Sequence, residues 1–281
     1  MVCINLGCGA SVHPAWRNLD VNPYKEGVES WDASKGIPAI SKSVDIVYHS
    51  HLLEHLDQEE GENLTKECLR VLKPGGILRI SVPDLERICQ DYLLSLQSVD
   101  QNIKFAQVNA DWMRMELFDQ MTRTFSGGEM LKFLKSNPAN KEFLIKRCGK
   151  NVFSNLTTGE EEINFNSSSK TVPFHLKFKA SIKKITDSNW LIEKLIKLIF
   201  SNTYYEAFRL GRFQQSGELH RHMYDRISLK ELLEKVGFVE CTIHSHTSSL
   251  IPKWRDFCLD NSNQGEPKKP DSLYLEAVKP K

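Results

Sequence analysis

The strongest constraint on this chain lies in residues 4–23, INLGCGASVHPAWRNLDVNP. A short apolar run ends in Gly7-Cys8-Gly9, and a second apolar run ends in Asp20. Two glycines one residue apart let the backbone turn sharply and let a ligand approach it without Cβ atoms in the way. The pattern predicts a strand, a glycine turn leading into a helix with free N–H groups, and an acid closing the second strand. In an open parallel sheet, ligands sit beyond the carboxyl ends of the strands. A carboxylate there can accept from both hydroxyls of a ribose. The dinucleotide fingerprint needs a third glycine, but Val12 stands in its place. No Gly-Lys-Ser or Gly-Lys-Thr follows, so a phosphate loop is excluded as well. A nucleoside without a pyrophosphate remains.

The rest of the first 90 residues alternates strand and helix. RNLDV and DIVYHS read as strands, and residues 56–72 read as a helix. Asp57 and Glu60 have capping-box spacing, Leu64, Cys68, Val71 and Leu72 form the apolar stripe, and KPGG is expected to stop the helix. ILRISVPDL is the next strand. Near the other end, SLKELLEKVGF reads as a helix with Ser228 as N-cap and Gly237 as its stop. VECTIHSH and SLYLEAV read as a closing antiparallel pair. The expected fold is α/β, a Rossmann-like sheet with parallel crossovers. Its core spans 1–90 and 218–281, and a mainly helical insertion, a lid, fills 91–217 after the fifth strand. The last helix of the insertion has Leu191, Ile192, Leu195, Ile196 and Ile199 on one face, with Lys183, Lys184, Lys194 and Lys197 in or near it. It is expected to pack on the core; the alternative is a basic amphipathic helix on a membrane surface.

Bulk properties exclude several classes. A net charge of +1 over 281 residues gives no case for nucleic acid. No apolar run approaches a membrane span, and the first residues do not resemble a signal peptide. The seven cysteines form no Cys-x-x-Cys pair, which argues for a reducing cytoplasmic setting.

Taken in order, NLGCG, NLDVNP, DIVYHSHLLEHL, RVLKPGGILRISVPDL and SLKELLEKVGF resemble a class I S-adenosylmethionine-dependent methyltransferase. They are similar in particular to a group of bacterial methyltransferases often found with polysaccharide and glycosyltransfer genes. The resemblance implies a seven-stranded sheet and S-adenosylmethionine as cofactor. It also implies that Gly7 and Gly9 pass under the methionine end, Asp20 holds the ribose, Asp32 contacts the adenine amino group, and His49, Ser50 and His51 lie near the sulfonium. Many relatives carry an acid where this chain has Asn5.

Methyl transfer to a hydroxyl needs a base, and histidine is closest to working pH. His222 and His220 are the first candidates and His51 the third, with Glu54, His55 and Tyr224 as acceptor contacts. His-x-His occurs at 49/51, 220/222 and 244/246, but no Cys or Asp completes a metal set at convincing spacing, so no metal is expected. Trp112, Trp190, Tyr204 and Tyr205 hint at a saccharide or lipid-linked acceptor. The expected activity is methylation of a small-molecule or sugar hydroxyl. The alternatives are N- or C-methylation of another metabolite, or a non-catalytic cofactor-binding partner subunit.

Overall fold

The computed structural model describes residues 1–23, 26–149 and 188–281. Seven strands form one sheet: β1 (Cys3–Leu6), β2 (Arg17–Asp20), β3 (Val28–Ser30), β4 (Val44–Ser50), β5 (Leu72–Pro83), β6 (Val239–His244) and β7 (Ser272–Val278). Their spatial order is β3-β2-β1-β4-β5-β7-β6. The first five are parallel, and β7 runs antiparallel between β5 and β6. Every residue of β1 is buried, as a strand covered on both faces must be.

One face of the sheet is covered by two helices, α1 (Gln58–Val71) and α8 (Arg226–Val236). Leu64, Cys68 and Val71 from α1 and Leu229 and Leu233 from α8 meet Leu6, Val47, Leu78 and Ile80 there. Asp57 and Glu60 form the expected capping box, at 2.9 and 3.0 Å. The helix stop differs from expectation. Leu72, already extended, caps α1, and β5 begins there. The glycines of KPGG instead take up an irregularity in which Val44 pairs with Leu72 but Ile46 pairs with Ile77. Asp225, not Ser228, is the N-cap of α8; Ser228 is its capping-box partner three residues on. Gly237 ends α8 in the left-handed region, as expected.

No helix follows the glycine turn. Residues 7–16 cross from β1 to β2 as a loop, too short for the usual helical crossover. The second face of the sheet is covered instead by the chain after β6. There Ile251, Trp254 and Leu259 pack on Cys3, Trp16, Ile46 and Tyr48. The buried Arg79 of β5 ties this cover down. It bonds Asp260 at 2.8 Å, Glu276 at 2.6 Å, and the carbonyls of Ser245 and Ser248. Its guanidinium also lies 4.4 Å from the Trp254 ring centre.

Between β5 and α8 the described residues are helical: α2 (Leu85–Asp100), α3 (Ala106–Thr122), α4 (Gly128–Lys135), α5 (Lys141–Cys148), α6 (Ser188–Ile199) and α7 (Asn202–Gln214). Trp112 is buried among Ile88, Met113, Leu134 and Leu144 and donates to Glu116 at 2.7 Å, so it packs the core of this helical layer. Helix α6 does not pack on the sheet core as expected. Ile192, Leu195 and Ile199 are 45%, 52% and 68% exposed, because both sheet faces already have their covers. Tyr204 is exposed, and Tyr205 lies under Lys197. Lys183, Lys184 and the side chains of Trp190, Leu191 and Lys194 lie outside the described residues.

Candidate active site

The site is built at the carboxyl edge of the sheet. Pairing of β1 with β2 and β4 sets Leu6 beside Leu19 and His49, so Gly7, Asp20 and Ser50 follow at one edge. Gly7 and Gly9 have φ of 57° and 48°, a conformation that strongly favours glycine. A Cβ on Gly7 would come within 3.0 Å of Leu52 Cδ1, so the turn lies close under the chain leaving β4. The Asp20 carboxylate leans on the turn. Oδ2 accepts from the Gly9 N–H at 2.8 Å and Oδ1 from the Asn22 N–H at 2.9 Å. Each oxygen keeps capacity for a further donor. A bare backbone turn with a carboxylate on it fits a nucleoside ligand such as S-adenosylmethionine.

Asn5 explains the shape of this loop. Its amide is 1% exposed and donates to the Ser11 carbonyl at 2.8 Å and to Asn18 Oδ1 at 3.0 Å. Asn18 in turn donates to the His13 and Trp16 carbonyls. Both partners of Asn5 are acceptors, so the position needs a donor, which a carboxylate cannot supply. Asn5 therefore acts on the loop.

Asp32 caps the short turn Ala33–Lys35, accepting from the Ser34 hydroxyl at 2.8 Å and the Ser34 N–H at 3.0 Å. These bonds, the hydroxyl's first, hold its carboxyl below the usual range. It lines a cleft of about 430 Å³ with His55, Glu60, Gln215, Gly217 and Arg221. The end of the helical insertion thus meets the sheet edge at Asp32.

The chain leaving β4 carries the densest chemistry. His49 is fully buried, its Nδ1 has no hydrogen-bond partner, and burial lowers its pKa to about 4. The Ser50 hydroxyl accepts from Lys269 Nζ at 3.3 Å, and burial brings that ammonium's pKa down. His51 sits in the left-handed region, with φ of 52°. Its Nδ1 lies 3.2 Å from Glu54 Oε1, and its Nε2 is 2.8 Å from the Ser272 hydroxyl. Glu54 is fully buried, and neither carboxylate oxygen has an aligned hydrogen bond. Burial pushes its pKa up, but His51, His220 and His55 outweigh burial and hold the carboxyl well down.

His220 faces Glu54 and His55, with its ring edge-on to His55 at 4.9 Å. Burial lowers its pKa to about 3, so it is neutral. The returning chain is anchored by backbone bonds: His220 N–H to the Gln120 carbonyl, and Arg221 and His222 N–H to the Glu54 carbonyl. His222 lies elsewhere, in the groove between α1 and α8 beside Gln58, Glu62 and Ser228. Tyr224, 3% exposed, belongs to the main core; a Cβ on Gly61 would come 3.1 Å from its hydroxyl. The structure thus gathers His49, Ser50, His51, Glu54, His55 and His220 at one edge and leaves His222 and Tyr224 out. Lys269 joins from the β6–β7 connection, which reads in the sequence only as a polar loop, and Ser272 from the first position of β7.

Residues 6–80 match the family described as methyltransferase domain. No curated protein matches the chain by sequence. Among solved structures, an S-adenosylmethionine-dependent methyltransferase from Archaeoglobus fulgidus is similar at 14% identity and TM-score 0.38, over 99% of this chain and 85% of that one. One from Thermotoga maritima is similar at 12% identity and TM-score 0.39, over 99% and 82%. A chain of the Haloferax volcanii complex of a methyltransferase with the Trm112 methyltransferase activator is similar at 10% identity and TM-score 0.36, over 100% and 83%. The match over residues 6–80 falls on the glycine turn and on strands β2 to β4, so this part of the chain carries a methyltransferase domain, for which S-adenosylmethionine is the cofactor.

Proposed function

We propose that the enzyme transfers the methyl group to a hydroxyl of a small molecule or saccharide, with His51 as the base. The observation that carries this reading is the His51 ring, set between the buried Glu54 carboxylate and the Ser272 hydroxyl at the end of β4. A carboxylate behind one ring nitrogen favours the imidazolium that forms when the other accepts a proton. S-adenosylmethionine, held at the glycine turn and Asp20, would supply an electrophilic methyl group whose transfer leaves a neutral thioether, and His51 Nε2 would take the proton from the acceptor hydroxyl. An amine acceptor has less need of such a base. His220 is too weak a base at a pKa of about 3, and His222 lies in the α1–α8 groove.

In this reading Gly7 and Gly9 carry the methionine end, Asp20 the ribose and Asp32 the adenine, with His49 and Ser50 beside the sulfonium. Residues 91–217 form a lid whose return, through Gln215 to Arg221, closes over the cleft. All seven cysteines are free thiols, which supports a reducing, cytoplasmic setting. No described helix is long and apolar enough to cross a membrane.

The test is transfer of labelled methyl from S-adenosylmethionine to small-molecule and saccharide fractions of a lysate. The reading expects label in an alkali-stable methyl ether. Label confined to amines, protein or nucleic acid would overturn it.

A further inference from the structure

Two imidazoles and one carboxylate meet where the returning chain crosses the exit of β4. One ligand atom each from Glu54, His55 and His220 lies within 4.8 Å of the others. Ligands about 2.1 Å from a tetrahedral ion stand roughly 3.4 Å apart, so small side-chain rotations would close the set. We propose that Glu54, His55 and His220 bind a divalent transition-metal cation of the zinc class, leaving a coordination position open.

Three observations carry this. First, Glu54 is wholly buried with both oxygens lacking an aligned hydrogen bond, and no Lys or Arg among the described residues forms an ion pair with it. Its neighbour His51, with Nδ1 at 3.2 Å, balances the charge only when that ring is protonated; a buried carboxylate facing neutral imidazoles costs several kcal/mol, and an ion held between it and two of them removes that cost. Second, the histidines are prepared as ligands. His55 Nδ1 is 3.2 Å from the Leu219 carbonyl, which can only accept, so the proton sits on Nδ1 and the lone pair on Nε2. That second contact is how ligating histidines are usually fixed. His220 is 5% exposed, and its Nδ1 has no partner. Third, the frame is rigid without the ion: the Glu54 carbonyl accepts from the Arg221 N–H at 2.7 Å and the His222 N–H at 3.2 Å. Two nitrogen donors and one oxygen favour zinc, iron, manganese or cobalt over calcium or magnesium. The Asp32 cleft, lined by His55 and Arg221, gives an entry path.

The site joins the sheet edge to the end of the insertion, so a bound ion would pin that return segment. It does not depend on the hydroxyl-transfer reading, and its test needs no turnover. The full chain is stripped with a chelator and titrated with Co²⁺, followed by visible absorption, and with Zn²⁺ in competition with a chromogenic chelator. One equivalent should bind, with the intense d–d bands of a four- or five-coordinate ion. Glu54→Gln, which keeps the side-chain shape, and His220→Ala should each weaken Zn²⁺ binding at least ten-fold, about 1.4 kcal/mol. His246→Gln, remote from the cluster, should leave it unchanged. Failure of the wild-type chain to bind one equivalent, or binding that survives both cluster variants, would overturn the proposal.

Discussion

Replacing Asn5 with aspartate restores the acid of the relatives, and the structure says it should damage the protein. The wild-type amide donates to the Ser11 carbonyl and to Asn18 Oδ1 at a position 1% exposed. An ionised aspartate donates nothing and aims its charge at both acceptors. Two hydrogen bonds are lost, each about 1 kcal/mol net, and the Ser11 carbonyl loses its donor at roughly 1–3 kcal/mol where no water replaces it, while Asn18 Oδ1 keeps the His13 N–H at 3.4 Å. The sum is about 3–5 kcal/mol, a large share of the roughly 5–15 kcal/mol that holds a domain folded. The new carboxyl can escape part of this by keeping its proton, so its folded pKa rises above the unfolded value of about 3.9. A raised carboxyl pKa makes the penalty smallest below about pH 4 and increases it as pH rises through the folded pKa. Urea unfolding of wild type and Asn5→Asp at about pH 5 and about pH 8 measures both effects, provided other groups cancel in the difference. A loss below about 1 kcal/mol that does not change with pH would refute the assignment of Asn5 as a required donor.

Other perturbations follow from the same geometry. Arg79→Met leaves Asp260 and Glu276 buried without their cation and should lower unfolding free energy by about 3–5 kcal/mol in the same assay. His51→Ala should cut turnover roughly 10²-fold while calorimetry shows S-adenosylmethionine affinity retained, and His222→Ala should cost far less; the reverse ranking would move the base to the α1–α8 groove.

The sheet was legible because its signals are local. Alternating DIVYHS, the Asp57–Glu60 box and the Gly237 stop each fix an element within a few residues. The cover of the second sheet face was not legible. It depends on Arg79 meeting Asp260, 181 residues away, and no periodicity encodes such a pair. The missing helix after Gly9 has a different cause. Asn5 and Asn18 hold residues 11–16 by side-chain bonds to loop carbonyls, and those bonds outweigh any helical preference. At the site, residues near a strand end could be named from sequence: Gly7, Asp20, His51, Glu54. The identity of their companions could not. Lys269 and Ser272 reach Ser50 and His51 only because β7 inserts beside β5. His220 and His222 are two residues apart, yet one is buried against Glu54 and the other lies in the α1–α8 groove, a difference set by where the returning chain crosses the Glu54 carbonyl.

The most direct measurement is calorimetric titration of S-adenosylmethionine into the wild-type chain and into Asp20→Ala. Asp20 supports the turn through Gly9 and offers its remaining lone pairs to the ribose. Saturable one-to-one binding by the wild type, weakened at least ten-fold in the variant (about 1.4 kcal/mol or more), is the expected result. Equal affinity in the two proteins, or no binding by the wild type, would contradict it.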